Sequence, residues 1–245
     1  MRLQGKAVLV TGAARRVGRA IALALAARGA RVAVHYHRRR REAGRLAAEL
    51  RAGFGRDSVA VRADLSDVRE VRRLAEAVAR RFGAVHVLVN NASVYLRTPF
   101  AQATPADWDR HLDVNLRAAF FLSQAVAPHM RRAGEGRIIN VADWSAARPW
   151  ADRIPYCVSK AGLLCLTRAL AKELAPGITV NAIMPGPVLP PEGASLRQAR
   201  AEARATLLKR LGRPEDVALA VLFLIEAGDY VTGAAIPVDG GRLLA

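Results

Sequence analysis

Cysteine is scarce in this chain of 245 residues, which contains only Cys157 and Cys165. The two cysteines lie eight positions apart in one predicted helix, a spacing that suits neither a disulfide framework nor a metal site. We therefore expect free, buried thiols, and the sequence predicts no bound metal.

Long apolar runs are also missing. No stretch approaches the roughly 20 consecutive apolar residues that a membrane-spanning helix needs. The segment from Met1 to Val10 lacks the charged region, apolar core and small-residue cleavage site of a signal peptide. We therefore expect a cytoplasmic protein with no membrane partner.

Acidic residues are outnumbered: 21 aspartates and glutamates stand against 38 lysines and arginines, which gives a net charge of +17. Only four of the basic residues are lysines, so most of the positive charge is arginine. An excess of this size can indicate nucleic-acid binding. The arginines are, however, scattered over every segment, and no nucleic-acid module is recognisable. We therefore expect no nucleic-acid partner.

Asparagine is rare as well, with five residues in the chain. A low asparagine content fits a thermostable protein poor in thermolabile residues, or a GC-rich coding bias. In either case the rarity makes the positions of the remaining asparagines informative.

Short apolar runs alternate with segments of helical period along the whole chain. The predicted strands cover residues 6–10, 31–36, 58–62, 85–90, 137–141, 178–183 and 235–238, and the predicted helices cover residues 17–25, 39–51, 68–81, 105–132, 155–174 and 214–226. Strict alternation predicts right-handed crossovers and a parallel sheet covered by helices on both faces. We expect a single domain over residues 1–245 with a Rossmann-type doubly wound α/β fold. Its sheet should have about seven strands in the order 3-2-1-4-5-6-7.

One long irregular stretch interrupts this pattern from residue 184 to about residue 194, where six prolines and glycines occur in quick succession. A loop of this length inside a compact domain is usually functional, although a disordered connector is the alternative. We expect a substrate loop over about residues 184–200.

A glycine-containing turn lies between the first predicted strand and the first predicted helix, with the sequence Thr-Gly-Ala-Ala-Arg-Arg-Val-Gly over residues 11–18. Glycines there let the backbone approach phosphates, and the helix N-terminus offers free N–H groups and the positive end of its dipole. Such a turn alone is a weak signal. The flanking strand and helix strengthen it, so the sequence predicts a dinucleotide site.

The second predicted strand ends in His-Tyr-His followed by four arginines, residues 35–41, with no carboxylate before Glu42. NAD-specific sites place an acidic residue near this point to accept a hydrogen bond from the ribose 2′-hydroxyl. Arginines favour a 2′-phosphate, so we expect NADPH; a solvated arginine face on the following helix is the alternative. Asp64, after the third strand, is a candidate acceptor for the adenine amine or a cap for the helix that begins near Asp67.

Three residues suggest an acid–base catalyst. Tyr156 and Lys160 are four positions apart and share one helix face, where the ammonium can lower the pKa of the phenol toward neutrality. Asp143 lies thirteen positions before the tyrosine. An ionised carboxylate can only accept hydrogen bonds, so Asp143 is ill suited to an ordinary ketone. It also raises the cost of ionising Tyr156, which should stay protonated as an acid.

On these residues, the chain resembles the short-chain dehydrogenase/reductase family over essentially its whole length. The matching marks are Thr11-Gly12 with Gly18, Asn90-Asn91-Ala92, Asn115, Tyr156 with Lys160, Asn181 with Pro185-Gly186, and Val238-Asp239-Gly240-Gly241. The resemblance implies that Tyr156 gives the proton, that Lys160 holds the nicotinamide ribose and that Asn115 anchors a water linking Lys160 to solvent. It also implies a homotetramer. The expected cofactor-binding residues are Gly12, Arg15, Arg16, Val17, Gly18, Tyr36, His37, Arg38, Asp64, Leu65, Asn91, Ala92, Ser93, Tyr156, Lys160, Pro185 and Gly186.

Two departures from the usual family pattern point to one branch. Arg16 stands where the family usually has glycine, and Asp143 stands where it usually has serine. Together with the His-Tyr-His-Arg sequence, they make the chain similar to the pteridine reductases. In that branch the arginine reaches cofactor phosphate and pterin, and an aromatic residue, here Tyr95, stacks on the pterin. The expected substrate-binding residues are Arg16, Ser93, Tyr95, Asp143 and Tyr156.

We therefore expect NADPH-dependent reduction of a C=N bond in a pterin, with Asp143, Tyr156, Lys160 and Asn115 as the catalytic residues. Ser145, eleven positions before the tyrosine, is the alternative source of the missing hydroxyl. The alternative function is a carbonyl reductase such as a 3-oxoacyl thioester reductase, because the pterin branch usually has a hydroxyl shortly after Pro185-Gly186 and this chain has none there. A non-enzymatic role would require a broken catalytic set, and this set is intact.

Overall fold

The computed structural model describes residues 1–190 and 193–245. Within these residues a single parallel sheet is formed by β1 (Ala7–Val10), β2 (Arg31–Tyr36), β3 (Val59–Arg62), β4 (Val87–Asn90), β5 (Gly136–Val141), β6 (Ile178–Pro185) and β7 (Ala235–Val238). The strand order is β3-β2-β1-β4-β5-β6-β7. This order confirms the predicted fold class.

Helices cover both faces of the sheet. They are α1 (Arg16–Ala27), α2 (Arg40–Phe54), α3 (Val68–Phe82), α4 (Pro105–Leu112), α5 (Ala118–Arg132), α6 (Ile154–Leu174), α7 (Leu196–Arg204) and α8 (Pro214–Glu226). Because successive strand residues point to opposite faces, Val8 and Val10 pack with α1, α2 and α8, whereas Ala7 and Leu9 pack with α3, α5 and α6. A sheet buried on both faces explains why its strands are continuous apolar runs.

The prediction of one continuous helix over residues 105–132 is wrong. The structure divides it into α4, a π-helical turn over Asp113–Arg117, and α5. The turn inserts its extra residue where the sequence has neither glycine nor proline, so apolar periodicity carried no sign of it. Asn115 lies inside this turn.

The predicted loop over residues 184–200 is also partly wrong. β6 continues to Pro185, and α7 begins at Leu196, where Ser195 and Gln198 form a capping box. The prolines before this short helix dominate the local pattern, so the sequence did not predict it. Pro191 and Glu192, which belong to the predicted loop, lie outside the described residues.

The described residues contain no helix that is both long and apolar enough to cross a membrane. Nor do three or more His, Cys, Asp or Glu residues come together there in a group that could hold a metal ion. Cys157 is buried as predicted, but Cys165 is exposed. Eight positions turn the helix by about 80°, which is enough to move the second thiol off the buried face of α6.

Candidate active site

The predicted site residues gather at the carboxyl ends of the strands. Gly12 follows β1, His37 follows β2, Asp64 follows β3, Asn91 follows β4 and Asp143 follows β5. Between β1 and β4, which are neighbours in the sheet, the chain reverses the direction in which it adds strands. A crevice at such a switch point is where doubly wound sheets bind their ligands.

The turn between β1 and α1 is shaped for close approach. Gly12 has a φ of +62°, and a Cβ at this position would lie 2.9 Å from the Cα of Ala92. A Cβ at Gly18 would lie 2.4 Å from the carbonyl oxygen of Gly12. Both positions therefore require glycine, because a side chain would meet the protein's own backbone; the approach of phosphates to this turn stays a prediction.

Asn91 and Thr11 tie this turn to the end of β4. The Asn91 Nδ2 donates to the carbonyl oxygen of Thr11 at 2.8 Å and to that of Gly12 at 3.3 Å. The Thr11 Oγ1 accepts from the backbone N–H groups of Asn91 at 2.9 Å and Ala92 at 3.0 Å. The side-chain NH₂ group of Asn91 thus holds the turn.

His35 supports the turn from below, and sequence reasoning missed it. Its Nδ1 accepts from the Gly12 N–H at 3.0 Å, and its Nε2 lies 3.1 Å from the Ala63 carbonyl oxygen. An imidazole with both contacts must be neutral with its proton on Nε2. Burial lowers the pKa of His35 to about 4, which maintains that form near neutral pH. The His-Tyr-His sequence held the signal, but the sequence predicted cofactor contacts only for the three residues after His35.

The carboxyl end of β2 is basic and open. Arg38 is exposed, and within the described ranges it forms no ion pair. Glu42, the first carboxylate of this segment, pairs with Arg39 at 3.3 Å. His37 Nε2 lies 3.5 Å from Asp64 Oδ2. Charge here favours a phosphate over a ribose hydroxyl.

Asp64 organises its own turn. Its Oδ1 accepts from the N–H of Ser66 at 2.9 Å and from the hydroxyl of Ser66 at 2.7 Å. The cap of α3 is Asp67, which accepts from the N–H of Arg69. The alternative that Asp64 caps this helix is therefore wrong, and its role toward adenine stays a prediction. Nearby, Leu65 is buried.

Arg16 has an unusual backbone. Its φ is +53°, in the left-handed region that favours glycine. This conformation explains why the family usually has glycine at this position. The guanidinium Nη2 donates to the carbonyl oxygens of Leu189 at 3.4 Å and Pro190 at 3.0 Å. Arg16 therefore links the phosphate turn to the loop after β6, while Arg15 is exposed and Val17 is half-buried.

The acid–base residues meet as predicted. The Tyr156 hydroxyl donates to Asp143 Oδ2 at 2.9 Å, and Asp143 Oδ1 accepts from the N–H of Ser145 at 2.8 Å. The Lys160 Nζ donates to the Val141 carbonyl oxygen at 2.8 Å and lies 5.7 Å from the centroid of the Tyr156 ring. One donor, the phenol, and one acceptor, the carboxylate, thus lie side by side.

Burial dominates the electrostatics of this group. It raises the pKa of Tyr156 well above its ordinary value, and the Asp143 charge raises it further. Lys160 therefore does not bring the phenol toward neutrality in this structure, contrary to the expectation, because burial and the Asp143 charge both act in the opposite direction. Burial lowers the pKa of Lys160 to about 8. Asp143 is only partly buried as a residue, but loss of water around its carboxylate raises its pKa.

Asn115 joins the loop after β4 to α6. Its Oδ1 accepts from the Val94 N–H at 2.7 Å. Its Nδ2 donates to the Val94 carbonyl oxygen and to the Ser159 hydroxyl, both at 3.0 Å. That Asn115 anchors a water stays a prediction.

An aromatic wall stands beside the catalytic tyrosine. The centroid of the Tyr95 ring lies 4.9 Å from that of Tyr156 and 5.9 Å from that of Trp150, and Trp150 stacks on Tyr156 at 6.3 Å. Tyr95 is exposed, as a residue that stacks on a substrate must be. Sequence reasoning found Tyr95 but missed Trp150, which had no motif to mark it.

The remaining predicted residues, Ser145, Ser93, Pro185 and Gly186, differ in how far solvent can reach them. Ser145 is completely buried, so a substrate cannot reach its hydroxyl, which argues against its replacing the missing serine. Ser93 is exposed, with its hydroxyl 3.4 Å from the carbonyl oxygen of Val94. Pro185 is buried at the end of β6, and a Cβ on Gly186 would lie 2.5 Å from the Cα of Asp239.

The chain is similar to known proteins over nearly its whole length. A family model described as enoyl-(acyl carrier protein) reductase matches residues 12–242. The 3-oxoacyl-(acyl carrier protein) reductase of Staphylococcus aureus (strain Mu50) is 38% identical over 243 residues, which cover 98% of this chain and 98% of that protein.

Solved structures with similar sequences have the same fold. A short-chain dehydrogenase from Burkholderia cenocepacia J2315, in complex with NADP, superposes with a TM-score of 0.92 and 37% identity, covering 99% of both chains. A blue fluorescent protein from a metagenomic library, in complex with NADPH, gives a TM-score of 0.90 and 37% identity, again covering 99% of both chains. The similarity extends over nearly the whole chain, so it includes the strands and helices that carry the candidate site.

Proposed function

This chain belongs to the short-chain dehydrogenase/reductase family, and from that membership and the geometry of its site we propose that it reduces a C=N bond of a pterin. The reaction is hydride transfer from NADPH to a dihydropterin or an oxidised pterin. Dihydrobiopterin, dihydromonapterin and dihydrofolate belong to this substrate class.

The cofactor is NADPH. The turn between β1 and the N-terminus of α1 fits a pyrophosphate, and the exposed Arg38 fits a 2′-phosphate. The solved relatives hold NADP or NADPH. When bound, NADPH supplies the hydride.

The observation that carries the pterin proposal is the hydrogen bond from Tyr156 to Asp143, at 2.9 Å. A phenol that donates to this carboxylate marks it as an acceptor. A carbonyl oxygen placed here would face a second acceptor and lose one of the two donors that usually polarise it. A pterin edge offers a ring nitrogen that accepts from Tyr156 and an N–H or NH₂ group that donates to Asp143.

The proton comes from Tyr156. As the ring carbon receives hydride, the adjacent ring nitrogen takes the phenol proton, so that C=N becomes CH–NH and a phenolate remains. The Lys160 ammonium, 5.7 Å from the ring centroid, stabilises that phenolate. Asp143 keeps the tyrosine protonated before the reaction, because its charge raises the pKa of the phenol.

The comparisons favour a second candidate over the pterin reductase, namely an NADPH-dependent carbonyl reductase such as a 3-oxoacyl thioester reductase, as the name of the Staphylococcus aureus relative suggests. One feature of the site gives this candidate a physical route. Loss of water raises the pKa of Asp143, and a protonated carboxyl group could donate to a carbonyl oxygen as a serine hydroxyl would. This route requires that activity fall as Asp143 ionises.

One assay separates the candidates. NADPH oxidation is followed with dihydrobiopterin, with dihydrofolate and with a 3-oxoacyl thioester, and inhibition by an antifolate is measured. Turnover of the pterins with antifolate inhibition supports the proposal. Turnover of the thioester alone rejects it in favour of the carbonyl reductase.

Assembly and location complete the proposal. We propose a cytoplasmic homotetramer, as the family resemblance implies. Light scattering of the purified protein measures the assembly, and a monomer in solution would contradict it.

A further inference from the structure

Arg153 lies at the mouth of the site and takes no part in the chemistry above. It is the N-cap residue of α6, three positions before Tyr156 and beside the positive end of the helix. Its guanidinium carbon lies 4.8 Å from the centroid of the Tyr95 ring and 5.7 Å from that of Trp150. The Tyr95 ring lies 4.9 Å from the Tyr156 ring. One aromatic ring therefore separates this cation from the residue that supplies the proton.

The charge of Arg153 is only partly compensated. Its Nη1 donates to Asp152 Oδ1 at 2.8 Å, while Asp152 Oδ2 accepts from the Nε of Arg97, also at 2.8 Å. Two guanidinium groups thus share one carboxylate. The Nε–H of Arg153 is buried, and no atom in the described part of the chain accepts from it. The Arg153 side chain as a whole is 22% exposed, so an anion that reaches its exposed part would supply the missing charge.

The position of Arg153 is fixed by neighbouring backbone. The Thr98 N–H donates to the Asp152 carbonyl oxygen at 2.8 Å, and Thr98 forms an isolated parallel bridge with Arg153. Thr98 is buried, so this connection is shielded from water. The loops that carry Tyr95 and Arg153 are thereby joined before a substrate arrives, and less ordering is needed on binding.

We infer that Arg153 is a specificity-determining residue that binds a negatively charged tail of the substrate, beside the aromatic wall. The planar guanidinium suits a carboxylate or a phosphate. With a pterin as the substrate, which rests on the proposed function, Arg153 favours a pterin with a carboxylate tail, such as dihydrofolate, over an uncharged one such as dihydrobiopterin. The phosphates of a 3-oxoacyl coenzyme A offer the same chemistry from another source.

The test compares substrate pairs that differ in charge. The pterin pair is dihydrofolate and dihydrobiopterin; the thioester pair is a 3-oxoacyl coenzyme A and the corresponding N-acetylcysteamine thioester, which has no phosphate. The variant is Arg153→Met, with Arg153→Lys as the conservative replacement. Arg97→Met is the matched control, because it removes a guanidinium from the same carboxylate at a residue whose side chain is 70% exposed.

Loss of a charge-assisted hydrogen bond should raise KM for the charged substrate by roughly tenfold in Arg153→Met. We expect kcat to change by less than about twofold, since the tail lies away from the reacting bond. Uncharged substrates should keep their KM, Arg153→Lys should restore part of the loss, and Arg97→Met should have the smaller effect. A purely structural role would impair both members of a pair alike.

The outcomes separate this inference from the proposed function. A selective loss on dihydrofolate supports both. A selective loss on the coenzyme A thioester, with no pterin turnover, supports the role of Arg153 and rejects the pterin. Equal effects on the charged and uncharged members of the active pair, or no effect on either, overturn the role of Arg153 while leaving the pterin proposal standing if pterins are turned over.

Discussion

Replacing Asp143 with asparagine changes one atom at the centre of the site. In the parent, Asp143 Oδ1 accepts from the Ser145 N–H at 2.8 Å. The amide oxygen of asparagine can still accept this bond, so the local turn should survive. The NH₂ group then replaces Oδ2, which accepts from the Tyr156 hydroxyl at 2.9 Å. An amide nitrogen cannot accept that bond. The variant therefore removes the acceptor and its charge with almost no change in volume.

The expected magnitude follows from the hydrogen bond that a pterin N–H group could no longer donate to residue 143. A hydrogen bond to a charged group contributes about 1.5–3 kcal/mol, so kcat/KM for a dihydropterin should fall by about 10- to 150-fold. KM for NADPH should stay unchanged, because Asp143 makes its contacts with Tyr156 and Ser145. The pKa of Tyr156 should fall, since the Asp143 charge and bond both raise it.

Steady-state kinetics with each substrate varied in turn measure the first two effects, and ultraviolet titration of the tyrosines measures the third. Asp57→Asn is the matched control, because Asp57 pairs with Arg81 at 2.7 Å on the connection between α2 and β3. Pterin turnover within about twofold of the parent would refute the acceptor role of Asp143. A parallel rise in KM for NADPH would move its role to cofactor binding.

Three further predictions follow from named contacts. Gly18→Ala should weaken NADPH binding at least tenfold in a fluorescence titration, because its Cβ would lie 2.4 Å from the Gly12 carbonyl oxygen, whereas Gly44→Ala, with nothing within 4 Å, should leave binding unchanged. Burial lowers the pKa of Lys160 to about 8 from 10.5, so reductase activity should fall as pH rises through about 8. The unfolded chain keeps the lysine proton up to a higher pH than the folded one. Lys160 should therefore make stability increase with pH between about 8 and 10.5, and Lys160→Met should remove both effects. Arg16→Gly should exceed Arg16→Ala in stability by about 1 kcal/mol in urea unfolding, since only glycine adopts the left-handed backbone freely; equal values would contradict this strain.

The sheet could be predicted because its signal is local. Each strand is a short apolar run and each crossover carries a helical period, so order and handedness follow from general rules. The π turn at Asp113–Arg117 left no such signal, because one extra residue shifts the phase of a helix without changing its composition. The helix Leu196–Arg204 was hidden for the opposite reason, since the prolines before it dominate the local pattern.

Site residues were predictable where a motif fixes their spacing. Tyr156 and Asp143 were found in this way, and the structure brings them into contact. Trp150 and Arg153 have no such spacing rule, because their place beside Tyr95 depends on which loops meet at the edge of the sheet. Sequence alone does not specify that meeting.

His35 connects two properties that appear separate in the sequence. The same short segment at the end of β2 presents Arg38 to the solvent and, through the imidazole, holds the Gly12 N–H at 3.0 Å. Cofactor preference and phosphate-turn geometry therefore depend on neighbouring residues of one short segment. An engineer who wished to convert this reductase to NADH could exchange Arg38 for an acidic residue, but would have to leave the imidazole in place to keep the turn in its binding shape.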